Sequence, residues 1–293
     1  MSKKLQIPNR IGVFHRYNQK PSTMEYGYHY DYKDHLPFTP PLSKRHIRLW
    51  IPESYDFANP KPHPVLYMAD GQNMVDRYLS AYGDWHLDRV IRDLGKQGYP
   101  EPILVGIDCP KNPRRRSNEL NPPYPITRPE IIKDEYPNHP IANRYIDYIA
   151  NELKPYIESI LCVDTRKEAT GIGGSSMGGI MAFYGFMAYP ETFGYSHSFS
   201  PPFFFYTHDQ LDAMLEDNHV SPETHGKVYL YVGGKDFEKI FVEGTFYMKK
   251  KLMALGFGKD QLGFAHDKDE IHHEEAWYRY SPAALKFWLK DLR

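Results

Sequence analysis

Gly173-Gly174-Ser175-Ser176-Met177-Gly178-Gly179 joins a short apolar run, Ala169 to Gly173, to a helix-like segment that runs from Met177 to Ala188. Within it, Gly174-x-Ser176-x-Gly178 fits the pattern Gly-x-Ser-x-Gly, and a strand–turn–helix setting is what that pattern requires. So tight a turn forces strained backbone angles on the serine. A glycine on each side lets strand and helix approach without a Cβ clash. The Ser176 hydroxyl then stands at the carboxyl end of a strand, where open α/β sheets take their ligands. The competing readings are a glycine-rich turn with no chemistry and a glycine-rich phosphate loop. No Gly-x-Gly-x-x-Gly register fits, however, and no Gly-Lys-Ser/Thr follows.

Outward from this turn, short apolar runs alternate with longer helical stretches. Val65 to Ala69, Ile103 to Ile107, Tyr195 to Phe199, Val228 to Val232 and Gln261 to His266 read as buried strands. Trp85 to Lys96, Ile141 to Ser159, Glu243 to Leu255 and Pro282 to Leu292 read as helices; Tyr145, Ile149, Leu153, Tyr156 and Ile160 make a core-facing stripe in one of them. Strand alternating with helix predicts a mostly parallel sheet covered on both faces, and with the serine turn this is an α/β-hydrolase fold. Residues 1–44, rich in Tyr, His and Pro, form an extension in which Gly12 to Tyr17 and Tyr26 to Tyr32 suit short antiparallel strands. Arg45 to Ile51 alternates like a half-buried strand. The proline-rich stretch Cys109 to Pro140 reads as a long loop after a strand end. No linker or repeat is visible, so residues 1–293 are expected to form one domain.

The 293 residues are 41% hydrophobic and 25% charged with a formal net charge of −1, the balance of a soluble globular chain. The densest basic run, Lys111 to Arg116, is short and broken by Pro113, so nucleic acid is not an expected partner. No apolar run reaches the ~20 residues that span a bilayer, and the first residues lack the apolar core of a signal peptide. A cytoplasmic location is expected. Cys109 and Cys162 are too few for a disulfide framework. The 24 tyrosines admit either a Tyr-rich core or recognition of sugars and aromatic esters.

In this fold the residues of a serine triad follow the order Ser, Asp/Glu, His. Asp236, just past Val228 to Val232, is the expected acid, with Glu238 in reserve. The base falls within Asp267 to Trp277, where His272 and His273 are adjacent and spacing alone does not separate them. His266, His272, His273 and Glu274 also form a ligand-rich cluster, but the spacing matches no zinc pattern, and no metal or other cofactor is expected. The oxyanion hole needs the backbone N–H of Met177 and a second from a loop after an earlier strand; Gln72 is the first candidate and Gly71 the next.

Together these segments resemble the putative esterase family, with its enterochelin-esterase-like, esterase-D-like and feruloyl- or acetylxylan-esterase-like members. The resemblance runs from about Ile47 to the C-terminus. Val65-Leu-Tyr-Met-Ala-Asp70-Gly71-Gln72-Asn73 is similar to the family's strand and oxyanion loop, with Ala69 where histidine is common. Ile103 to Asp108 followed by Arg116-x-x-Glu119-Leu-x-Pro122 looks like its substrate-side loop, and Ser200-Pro201 follows the next strand as in relatives. His272-His273-Glu274-Glu275-Ala276-Trp277 resembles His-Asn/Ser-Glu-x-x-Trp, which implies His272 as the base. The position of Asp236 three residues past Gly233 supports it as the acid.

The resemblance implies hydrolysis of a carboxylic ester, such as an acylated sugar or a siderophore-like ester, with Asp70, Arg116 and Glu119 on the substrate side. The alternatives are an acyltransferase with the same acyl-enzyme and a non-catalytic binding module.

Overall fold

A computed structural model of the chain describes residues 7–32, 45–127, 137 and 139–293. Its strands are β1 (Arg10–Ile11), β2 (Phe14–Arg16), β3 (Tyr28–Tyr32), β4 (Ile47–Ile51), β5 (Val65–Ala69), β6 (Ile103–Ile107), β7 (Thr170–Ser175), β8 (Tyr195–Phe199), β9 (Lys227–Gly233) and β10 (Leu262–Asp267). They form one sheet in the order β1-β2-β3-β4-β6-β5-β7-β8-β9-β10. The pairings from β1 to β6 by way of β4 are antiparallel, and every pairing from β6 through β5 to β10 is parallel.

The helices are α1 (Leu87–Gly95), α2 (Pro113–Leu120), α3 (Ala142–Tyr148), α4 (Lys154–Ile160), α5 (Met177–Ala188), α6 (His208–Asp217), α7 (Lys239–Ala254) and α8 (Glu274–Leu289). Strand alternation assigns them to two faces. Val65, Tyr67, Ala69, Ile103, Val105 and Ile107 share a core with residues of α3, α5 and α7. Leu66, Met68 and Leu104 pack instead with Leu87, Val90, Ile91 and Leu94 of α1 and Leu285 and Trp288 of α8. The α/β-hydrolase architecture expected from the sequence is thus present. Among the described residues no helix is long and apolar enough to cross a membrane.

Some boundaries differ from the sequence expectation, for physical reasons. Part of the proline-rich stretch is helical: Asn112 accepts from Arg115 N–H at 3.0 Å and Pro113 occupies the first turn, where no N–H partner is needed, so α2 forms despite the prolines. Residues 128–136 and 138 of that stretch lie outside the described residues. Helix α8 begins eight residues before Pro282 and runs through it. The Pro282 ring removes one N–H, but Trp277, Ser281, Leu285 and Trp288 lie buried along one side, and that packing outweighs the lost bond. Helix α6, not expected, carries a full capping box between Thr207 and Gln210. The helix expected from Ile141 to Ser159 is interrupted by a π turn, Ile149–Leu153.

The N-terminal segment is bound closely to the rest. Strands β1 to β3 extend the sheet, and the chain between β2 and β3 crosses the loop before α1. There Thr23 N–H donates to Asp76 at 3.1 Å, its hydroxyl lies 3.0 Å from Asp84, and the N–H groups of Glu25 and Tyr26 donate to Asp88 at 2.8 and 3.2 Å. All three aspartates are buried. A buried carboxylate is tolerated only when donors replace its water, and the N-terminal segment supplies part of them, beside Tyr78 N–H on Asp76 and His86 N–H on Asp84.

Candidate active site

The parallel strands end at a cavity of about 430 Å³ whose wall includes Ser176, His272, Gln72, Arg116, Tyr82 and Trp277. Ser176, between β7 and α5, has φ 55° and ψ −126°, the strained conformation that the glycine pattern predicts. Its N–H donates to Phe199 O at 2.9 Å, and its carbonyl accepts from Gly179 and Ile180. A Cβ on Gly174 would lie 2.7 Å from the Gly178 carbonyl carbon, and one on Gly179 would collide with Phe199 O. The small residues are therefore what lets β7, α5 and β8 converge behind the serine.

His272 precedes α8. Its ring stacks on Phe241 at 4.6 Å and meets the Trp277 ring edge-on at 5.1 Å. Its Nδ1 is hydrogen-bonded to Glu238 Oε2. An ionised carboxylate only accepts, so Nδ1 carries the proton and Nε2 keeps its lone pair. Glu238 is fully buried, and its Oε1 also accepts from Gly233 N–H at 3.0 Å and from the Ser200 hydroxyl.

The carboxylate partner of His272 is therefore Glu238 and not Asp236. Asp236 is exposed, with φ 54°, at the head of the one-turn helix Asp236–Glu238; that turn carries Glu238 inward and leaves Asp236 in solvent. The neighbouring histidines separate as sharply. His273 caps α8, accepting from Glu275 N–H at 3.2 Å, while His272 takes the carboxylate. The other members of the ligand-rich cluster are occupied differently. Glu274 is buried and accepts from Asn73 Nδ2 at 3.2 Å, its carboxyl pushed above the usual range by burial; His266 packs edge-on to Phe246.

The oxyanion candidates occupy two turns. Met177 is the first residue of α5, so its N–H has no partner within the helix. Its side chain is buried away from the cavity wall against the Ser117 hydroxyl, 3.0 Å from Sδ. Gln72 lies in the turn Gly71–Asn73 and borders the cavity. Its carboxamide clamps the facing strand end: Oε1 accepts from Cys109 N–H at 3.1 Å and Nε2 lies 3.2 Å from Sγ. Gly71 packs against the backbone of Gly106, where a Cβ would sit 2.5 Å from the carbonyl carbon. Cys109 also borders the cavity, but burial first of all pushes its thiol up to about 12, so little thiolate forms at neutral pH.

On the substrate side, Arg116 holds Asp70 in a two-point pair at 2.8 and 2.6 Å, and both border the cavity. Glu119 does not reach it. Its carboxylate is buried between Arg45 and Arg115, so it braces α2 against the chain before β4. The sequence spacing put Arg116 and Glu119 on one helix three residues apart; the helix turns one to the cavity and the other to the core.

The family described as putative esterase matches residues 41–252. The chain is 24% identical over 258 residues to the protein YbbA of Bacillus subtilis (strain 168), across 84% of this chain and 92% of that one. Among solved structures it is similar to an IroE-like serine hydrolase from Shewanella oneidensis, with TM-score 0.71 and 20% identity over 92% of this chain and 81% of that one. It is also similar to the siderophore hydrolase EstA from Aspergillus nidulans, with TM-score 0.63 and 17% identity over 94% and 97% of the two chains.

Proposed function

The chain belongs to the putative esterase family and is a carboxylic ester hydrolase; from that premise we propose that Ser176, His272 and Glu238 form its triad and act through an acyl-enzyme. The observation that carries this reading is the His272–Glu238 pair at the cavity that also holds the strained Ser176. In the first half-reaction Ser176 Oγ attacks the ester carbonyl carbon while His272 Nε2 takes the hydroxyl proton. The carbonyl oxygen gains the negative charge, stabilised by the N–H groups of Met177 and Gln72. When the intermediate collapses, the C–O bond to the alcohol breaks and His272 returns its proton to the leaving oxygen. Water then attacks the acyl-enzyme with the same base, releasing the acid and restoring Ser176. Glu238 holds the imidazole tautomer and stabilises the imidazolium at each step.

The reading extends to an ester that carries hydroxyl or anionic groups, such as an acylated sugar or a siderophore-like ester. Lys111, the Arg116–Asp70 pair and the exposed Tyr82 border the cavity and favour polar and aromatic substituents over a bare alkyl chain. A panel of sugar acetates, hydroxycinnamate esters, catechol-bearing lactones and alkyl p-nitrophenyl esters tests this, with Ser176→Ala as control. Activity that survives Ser176→Ala refutes the mechanism. Equal kcat/KM for alkyl and polar esters refutes the substrate class alone.

A further inference from the structure

Ser200 and Trp277 have no part in the reaction as written, yet Ser200 is buried against its acid and Trp277 against its base. Ser200 ends β8 in the left-handed region, with φ 46°, and its N–H donates to Tyr231 O at 2.7 Å. A residue there for the backbone alone would be glycine. Serine adds a hydroxyl, and that hydroxyl lies between two groups whose chemistry fixes its direction. Trp277 Nε1, 3.0 Å away, can only donate; Glu238 Oε1, hydrogen-bonded on the other side, accepts. Donation therefore converges on the carboxylate: Trp277 N–H donates to Ser200 Oγ and Ser200 O–H to Glu238 Oε1, while His272 Nδ1–H donates to Glu238 Oε2 from the other side. Each donor polarises the next, so the indole makes the hydroxyl a better donor to the carboxylate. Trp277 also meets the His272 ring edge-on, so one side chain packs against the base and anchors the support of the acid.

We propose that Ser200, backed by Trp277, is a positioning residue that holds the buried Glu238 carboxylate aimed at His272 Nδ1; this rests on the reading of Ser176, His272 and Glu238 as the triad. Besides Ser200, among the described residues only the Gly233 N–H donates to Glu238 Oε1. Other titratable groups near the pair include Tyr231 on β9, the exposed Lys235 and Asp236 of the Glu238 turn, His273, and Glu274 at the head of α8. The Tyr231 hydroxyl has no hydrogen-bond partner among the described residues, Lys235 and Asp236 face solvent, His273 caps α8 and Glu274 pairs with Asn73, so none of them replaces the serine without rearrangement. With the hydroxyl gone the carboxylate loses a donor, and its charge beside His272 is less stabilised.

The test compares Ser200→Ala with Ser200→Gly. Both lose the hydroxyl, but only glycine relaxes the left-handed backbone. Both should lower kcat by roughly 10- to 100-fold, a part of the 10²–10⁴ that positioned acid–base groups supply, with KM nearly unchanged. In both, the acid limb of the kcat/KM profile should move to higher pH, and the downfield proton resonance of His272 Nδ1 should shift or vanish. Trp277→Phe should give a smaller loss in the same direction, and adding it to Ser200→Ala should cost little more.

Loss of amplitude with an unmoved acid limb, or a loss confined to Ser200→Ala and tracking its melting temperature, overturns the proposal. If neither Ser200 variant folds, the limb and resonance of Trp277→Phe decide it. Glu238→Gln separates the two levels. If it remains fully active, the triad reading fails. If it collapses while the Ser200 variants behave as wild type, only the role of Ser200 fails.

Discussion

Seven consecutive residues build the nucleophile end of the cavity, whereas the acid–base end draws on three distant stretches of chain. At the first end, Gly173 to Gly179 carry the turn, the strain and the close approach in one segment, so steric rules alone prescribe the geometry. At the second, the end of β8, the turn after β9 and the head of α8 must meet before Glu238 touches His272. A local device withstands substitution elsewhere in the fold. A device assembled from distant parts depends on every element that positions it.

The largest effects should fall at the meeting point of the two ends. Ser176→Ala and His272→Ala should each lower kcat by roughly 10⁴- to 10⁶-fold, and the double variant should be little worse, because the residues act as one unit. Strictly additive losses in steady-state kinetics would break the comparison by showing that the ends work independently. Next, Glu238→Gln should cost on the order of 10³- to 10⁴-fold, by favouring the wrong imidazole tautomer, whereas Asp236→Asn should leave kcat within about twofold. The reverse ranking would return the acid to the exposed position.

Smaller effects belong to the rim. Arg116→Ala leaves the Asp70 carboxylate nearly buried and unpaired, so thermal or denaturant unfolding should show a loss of about 1–3 kcal/mol. Its kcat/KM should fall by roughly tenfold, unevenly across sugar, aromatic and alkyl esters. Unchanged ratios would make Arg116 only a brace for Asp70. The smallest effect concerns Cys109. With its thiol pushed up to about 12, iodoacetamide at pH 8 should label it far more slowly than a free thiol, and a brief exposure should leave turnover intact. Rapid labelling with loss of activity would mean that the wall carrying Cys109 opens in solution.

How much of this was legible in the sequence follows the same division. β5 and β6 were readable, with their observed boundaries, from continuous apolar runs, because strands buried on both faces favour apolar side chains; β8 was readable with the same accuracy although its middle, Ser196-His197-Ser198, is polar and buried. The elbow was readable because glycine is required for local reasons. Asp236 and Glu238 are two residues apart in one turn, and composition cannot say which of them the turn buries. Glu119 was misjudged for a similar reason: the sequence gives its spacing from Arg116, but Arg45, 74 positions away, draws it into the core. His272 and His273 were separable only by resemblance. The structure supplies the physical distinction, since one caps a helix and the other meets a carboxylate.

The crossing at Thr23 to Tyr26 has a consequence for how such a chain can be recombined. The region shared with the family starts at residue 41, yet each of Asp76, Asp84 and Asp88 takes at least one of its donors from residues before it. A chimera joined at the family boundary, with a relative's leading segment grafted on, would bring these three acids together with a stranger's backbone. The loop from Asp76 to Asp88, with Tyr82 at the cavity mouth, can be exchanged among relatives only together with its own leading segment. The two are a single heritable module that the linear boundary cuts in half.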